Sequence, residues 1–291
     1  MVTLRETIHS ITKNHLEQND GLIMGQCLTA VGWVDGTVPD TRNVIELPMT
    51  DVAGADFAVG AAITGRRPIL VLRFQDFLVL NANAIVYFAA KRKEVFQRSV
   101  PVFVRAIARE GNGTGNSHSG KLHSTYLGFP GIRVYAPMTP LEWEDCWNDF
   151  MSHDDPAICC EHRATFGESV EMPTIYESGS RISIIAISYA RKNAVKAYEE
   201  LARRGIKANL IHVYKLKPLE VPVVDTVSLV VDSGYETCSV AKDIAYKQML
   251  ETGKKSYVLG LKEKQVGCND ENLTPISDEI VTKCLEVISE V

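Results

Sequence analysis

The chain is 291 residues long, 45% hydrophobic and 23% charged, with a formal net charge of −5. Such a composition is ordinary for a globular chain with core enough for two domains or one large one. The acidic balance excludes a broad electrostatic footprint for nucleic acid, and no apolar run reaches the length of a membrane-spanning helix.

In chain order, the opening MVTLRETIHSITKNHLEQND sets Leu4, Ile8, Ile11 and Leu16 near helical spacing and lacks the apolar core of a signal peptide. Next, ELPMTDVAGADFAVGAAITGRRPI (46–69) puts Asp51 at the mouth of a run of small and apolar residues. Asp51 reads either as the N-cap of a helix or as a carboxylate that reaches out of the chain to do chemistry. Apolar runs then suggest strands at 68–72, 100–108, 131–137, 157–161, 181–188, 207–214, 227–233 and 255–261. Helical stretches are expected at about 80–97, 139–152, 190–204, 237–251 and 276–290. The strands are continuous rather than alternating, as in sheets covered on both faces. The predicted class is therefore α/β: two α/β domains with mostly parallel sheets. Gly, Pro, Ser, Thr and Glu gather around 161–180. A linker at 166–180 is expected to separate a first domain, 1–165, from a second, 181–291.

Seven cysteines (Cys27, Cys146, Cys159, Cys160, Cys238, Cys268 and Cys284) form an odd set without a CxxC pair. They read as reduced thiols of an intracellular, cytoplasmic protein, and no metal site is predicted. The basic run KRK at 91–93 reads as a solvated helix face.

Three stretches carry chemistry-bearing residues. GNSHSGKL (115–122) approaches the phosphate-loop pattern, but Leu122 stands where a hydroxyl is needed to hold magnesium. The same Gly-rich connection carries His118 and, beyond it, His123. It reads either as a surface loop with incidental histidines or as a functional loop offering proton exchange near neutrality. In RFQDFLVL (73–80), Phe74 and Phe77 suit either core packing or an aromatic wall for a flat heterocycle.

Taken together, LPMTDVAGADFAVGAAITGRRPI, RFQDF, GNSHSGKLHSTYLGFPGIRVYAPMTP and SHDDPAICCEHR resemble, in order and spacing, the thiamine-diphosphate-dependent transketolase-like family. The likeness is to the β subunits of 2-oxo acid dehydrogenase decarboxylating components. RISIIAISYARKNAVKAYEELARRGIKANLIHVYKLKPLE resembles the transketolase C-terminal domain, so the resemblance covers nearly the whole chain. It implies a pyrimidine-binding domain followed by a transketolase C-terminal-like domain. It further implies thiamine diphosphate as cofactor, with Mg²⁺ and the diphosphate held mainly by another chain, since no GDG motif occurs here. The expected partner is an α-type subunit in an α2β2 assembly. The expected substrates are a 2-oxo acid, an aldehyde or a sugar phosphate, in a reaction that cleaves or forms a C–C bond next to a carbonyl. By the same resemblance, Asp51 is the carboxylate that hydrogen-bonds the aminopyrimidine, and Phe74, Phe77 and Gln26 line the cofactor site. His118 faces the substrate as proton donor or polar anchor. Asp51 and Gln26 stand where relatives have Glu, and His123 stands where Glu is frequent. These departures leave a second reading, a non-catalytic subunit that keeps the fold and the partner interface.

Overall fold

The computed structural model describes residues 1–19, 21–29, 32, 34–110, 115–263 and 273–290. The chain forms two compact units, Met1–Arg109 with Ser117–Glu171, and Glu110–Asn116 with Met172–Val291.

The first unit begins with α1 (Leu4–Gln18), β1 (Leu22–Gly25), β2 (Val44–Glu46), α2 (Gly54–Ile63) and β3 (Pro68–Leu72). A 3-10 turn (Gln75–Asn81), a π-helical stretch (Asn83–Ala90) and α3 (Lys91–Phe96) follow. It closes with β4 (Phe103–Ala108), β5 (Arg133–Tyr135), α4 (Pro140–Ser152) and β6 (Ala157–His162). Within the unit the strands lie side by side as β2-β1-β3-β4-β6-β5. The pairings among them are parallel. Each residue of β3, β4 and β6 is buried, which is why these strands read as unbroken apolar runs. Helix α1 starts at a capping box, with Glu6 Oε2 accepting Thr3 N–H at 2.7 Å, and buries Leu4, Ile8 and Leu16. Under α4, Trp143, Trp147 and Phe150 pack on Phe103 with ring centroids 5.1–5.7 Å apart.

One helix was expected over 80–97; the chain instead runs from 3-10 through π to α geometry. Asn81 explains the break. Its Nδ2 donates to the Phe77 carbonyl (2.8 Å) and its Oδ1 accepts the N–H of Ala55 (3.1 Å), so its side chain competes with a regular helical ladder at the junction.

The second unit contains β7 (Ile182–Ile187), α5 (Ala190–Arg203), β8 (Ala208–Val213), β9 (Lys215–Lys217) and β10 (Val227–Tyr235). It ends with α6 (Val240–Thr252), β11 (Ser256–Leu261) and α7 (Ser277–Ser289). Its four-stranded sheet, β11-β10-β7-β8, is parallel throughout. Ile182, Ile184, Leu229 and Val231 pack beneath Ala190, Ala194, Ala197 and Leu201 of α5 and Ile280, Cys284 and Val287 of α7. The mostly parallel α/β class expected from the sequence is borne out in both units. Among the described residues no helix is long and apolar enough to cross a membrane.

Candidate active site

The strand order of the first unit locates the site. From β1 the chain crosses to β2 on one side and then to β3 on the other, so the order of strand addition reverses between the parallel strands β1 and β3. In open parallel sheets, ligands bind in the crevice beyond the carboxyl ends of the strands at such a reversal. A cleft lies there, formed by Gly25 and Gln26 at the end of β1, Leu47 after β2 and Leu70–Arg73 at the end of β3. Asp51, Gly54, Phe77 and Asn81 complete its walls. Gly25 has to be glycine: a Cβ there would stand 2.6 Å from the Val71 carbonyl oxygen across the β1–β3 seam.

Asp51 is not a helix cap. Helix α2 begins at Gly54 with Ala53 as its N-cap residue, and no side-chain cap bond is made there. Thr50 O accepts the Gly54 N–H (2.8 Å), and Asn81 Oδ1, arriving from another element, satisfies Ala55 N–H. Asp51 is thereby left half-buried in the cleft wall with no carboxylate hydrogen bond among the described residues. Gln26 lines the same cleft at 8% exposure, and its Oε1 is buried without a hydrogen-bond partner among the described residues. An orphaned buried acceptor in a cleft wall is costly unless something that donates comes to meet it.

The aromatic pair divides. Phe77 lines the cleft, whereas Phe74 is buried behind it, edge-on to Phe77 at 5.8 Å. His118 packs on both, 4.5 Å from the Phe74 ring and 5.7 Å from Phe77. The structure therefore brings Asp51, Gln26 and Phe77 into one cleft and gathers Phe74 and His118 against Phe77 without lining the cleft themselves. His123 is buried.

Hydrogen bonds fasten the loop bearing His118 to the 3-10 turn. Asp76 Oδ2 accepts Gly120 N–H at 3.0 Å, Gln75 Oε1 accepts Leu122 N–H at 2.8 Å, and the Tyr126 hydroxyl donates to the Leu78 carbonyl. Burial raises the Asp76 carboxyl above the usual carboxylate range, opposed by the Gly120 N–H that it accepts. The sequence reading passed over Gln75, Asp76, Asn81 and Arg73, although three of the four belong to the quoted RFQDF. Arg73 donates from Nη1 to Cys27 Sγ (2.8 Å) and from Nη2 to Met49 Sδ (3.5 Å), with its guanidinium 5.8 Å from the Phe77 ring centre. Among the described residues no three His, Cys, Asp or Glu side chains are grouped so as to hold a metal ion.

The family model for the pyrimidine-binding domain of transketolase matches residues 10–168, and that for the transketolase C-terminal domain matches residues 173–285. The chain belongs to the transketolase pyrimidine-binding family. The family resemblance read from the motifs is thereby borne out.

The chain is 29% identical over 222 residues to the β subunit of acetoin:2,6-dichlorophenolindophenol oxidoreductase of Cupriavidus necator, covering 70% of this chain and 66% of that one. It is 24% identical over 277 residues to the subunit of the same name from Bacillus subtilis, covering 85% and 80%. With the pyruvate dehydrogenase E1 component subunit beta of Rhizobium meliloti it shares 25% over 275 residues, covering 85% of this chain and 60% of that one. The chain thus spans somewhat less than two thirds of the first and third of these relatives. Among solved structures, a split-gene transketolase described as an inactive β4 tetramer superposes with a TM-score of 0.73 at 14% identity, over 99% of this chain and 98% of that one. Transketolase from Campylobacter jejuni gives a TM-score of 0.76 at 15% identity, over 98% of this chain and 46% of that one. At these identities the structural likeness speaks to the fold.

Proposed function

We propose that this chain is the β-type subunit of a two-chain thiamine-diphosphate-dependent enzyme that cleaves or forms a C–C bond next to a carbonyl. In this reading residues 1–165 form the pyrimidine-binding domain and residues 181–291 the C-terminal-like domain. The observation that carries the proposal is the release of Asp51 from any helix-capping duty into a switch-point cleft. That cleft it shares with the unpartnered Gln26 Oε1 and the Phe77 ring. Its mixed apolar and polar lining suits a flat, donor-bearing heterocycle such as an aminopyrimidine.

When bound, thiamine diphosphate supplies an electron sink for the carbon next to the carbonyl. Asp51 is the carboxyl that exchanges a proton with a pyrimidine ring nitrogen. Gln26 Oε1 accepts an N–H from the ring, and Phe77 covers its face. His118, held on Phe74 and Phe77, moves a proton on the substrate side. The diphosphate and Mg²⁺ fall to an α-type partner carrying the GDG motif that this chain lacks, in a cytoplasmic α2β2 assembly. The substrates are a 2-oxo acid, an aldehyde or a sugar phosphate. The β-subunit names of the related oxidoreductase and dehydrogenase chains support the division of labour.

The test is co-purification from the native source, followed by calorimetric titration of the assembly with thiamine diphosphate and Mg²⁺. A second chain with a GDG motif and saturable cofactor binding are expected. A chain that purifies without such a partner and binds no cofactor would overturn the proposal.

A further inference from the structure

We infer that Arg73 is an anion-recognition residue at the cleft wall, which takes the carboxylate of a 2-oxo acid or the phosphate of a sugar phosphate. The identity of the substrate rests on the proposed function; the anion site itself does not.

Arg73 is the first residue after β3, on the carboxyl side of the sheet, and it lines the same cleft as Asp51 and Gln26. Its hydrogen bonding differs from that of four other arginines of the unit. Arg5, Arg67, Arg105 and Arg133 in the same unit each grip a carboxylate, at 2.5–2.8 Å. Arg73 instead rests on a thiol and a thioether, both weak acceptors, while its buried Nε has no partner among the described residues. Asp51 lines the same cleft, yet the two make no ion pair.

A guanidinium held by sulfur is pre-positioned without being neutralised. An incoming carboxylate or phosphate offers two oxygens to its planar fork, in charge-assisted bonds that the sulfurs cannot match. The Phe77 ring beside the guanidinium restricts its motion without supplying a counter-charge. The cleft thus presents a cation and a carboxylate that do not cancel each other. A donor whose carboxylate or phosphate reaches Arg73 can use the cation, and a neutral acyloin cannot.

The Cys27 contact gives a direct readout in the full chain, without cofactor or turnover. An anion on Arg73 draws the guanidinium from the Cys27 sulfur and makes the thiol a poorer nucleophile. Peptide-resolved mass spectrometry would follow alkylation of Cys27 during titration with pyruvate, inorganic phosphate and neutral acetoin. Pyruvate or phosphate should slow alkylation saturably, and acetoin should not. Arg73→Gln should abolish the effect, and Arg73→Lys, which keeps the charge, should retain part of it. A lower half-saturating concentration of pyruvate assigns the site to a carboxylate, and of phosphate to a phosphate ester. No anion effect in the wild-type chain, or an equal effect in Arg73→Gln, would overturn the inference.

In the assembled enzyme, Arg73→Gln should lower the ratio of kcat/KM for the anionic over a neutral donor by about tenfold to a hundredfold, the worth of one charge-assisted contact. An assembly that binds no thiamine diphosphate, while anions still protect Cys27, would remove the proposed function and leave the Arg73 site standing.

Discussion

Asn81 Oδ1 accepts the N–H of Ala55 at 3.1 Å, across 26 residues of sequence, and so performs the capping that Asp51 was placed to perform. The division of labour separates stability from chemistry. Asn81→Ala removes the acceptor from the first turn of α2 and the donor to Phe77 O, and should destabilise the chain by about 1–2 kcal/mol. Asp51→Ala removes a carboxylate without a hydrogen bond in the fold, so stability should change by no more than about 0.5 kcal/mol while turnover of the assembly is lost. Denaturant melts of the two variants beside a single activity assay would show the contrast. A large stability loss in Asp51→Ala would return Asp51 to a structural role.

Gln26 offers a second, independent check on the cleft. Because its Oε1 is buried and unpartnered, Gln26→Leu should leave stability equal or slightly raised, by up to about 1 kcal/mol. The same change should weaken thiamine diphosphate binding by the assembly by about tenfold, the worth of one hydrogen bond. Calorimetry on the variant complex checks both halves, and unchanged affinity would exclude Gln26 from the cofactor site.

Much of the fold was legible because buried parallel strands leave long apolar runs: PILVL became β3, and RISIIAIS contains β7. Strands β1 and β2, of four and three residues, are too short to leave a periodic signal. The switch point between β1 and β3, and with it the position of the cleft, could not be derived from periodicity alone. Asp51 was ambiguous for the same reason. Asp is favoured at N-caps, and the residue that displaces it lies on another element. Arg73 was hidden in plain view beside Phe74, since nothing local tells a guanidinium on sulfur from one on a carboxylate. Phe74 and Phe77, three residues apart, read as equivalents, yet one is buried and the other faces the cleft.

The loop that carries His118 depends on a glycine. A Cβ at Gly120 would stand 2.6 Å from Asp76 Oδ1. Gly120→Ala should therefore push the loop from its anchor, cost about 1–3 kcal/mol as an overpacked site does, and lower turnover by displacing His118 from the Phe74–Phe77 edge. Gly128, whose Cβ would meet nothing within 4 Å, serves as the control. Thermal melts and activity of Gly120→Ala against Gly128→Ala would test this, and equal behaviour of the two would contradict it.

The second unit should carry a pH dependence of its own. Burial, with Arg191 beside it, pushes the His212 imidazole from 6.5 down to about 3, and Arg191 Nε donates to its Nδ1 at 3.2 Å. In the unfolded chain His212 takes up a proton near its ordinary value of 6.5, whereas folded His212 stays neutral until about 3. Between these values the unfolded state binds more protons, so stability rises with pH. The contribution is complete above about pH 6.5 and is lost progressively as pH falls toward 3. His15, on the buried face of α1 and lowered mainly by that burial, acts in the same direction in the first unit. Lowering the pH from 6.5 to 5 should cost roughly 1–2 kcal/mol through His212, below the limiting 1.36 kcal/mol per pH unit because the unfolded imidazole is already half-protonated at 6.5. His212→Gln, which has no proton to gain, should flatten the melting temperature of the second unit over that interval. An unaltered slope in the variant would show that the acid sensitivity arises elsewhere.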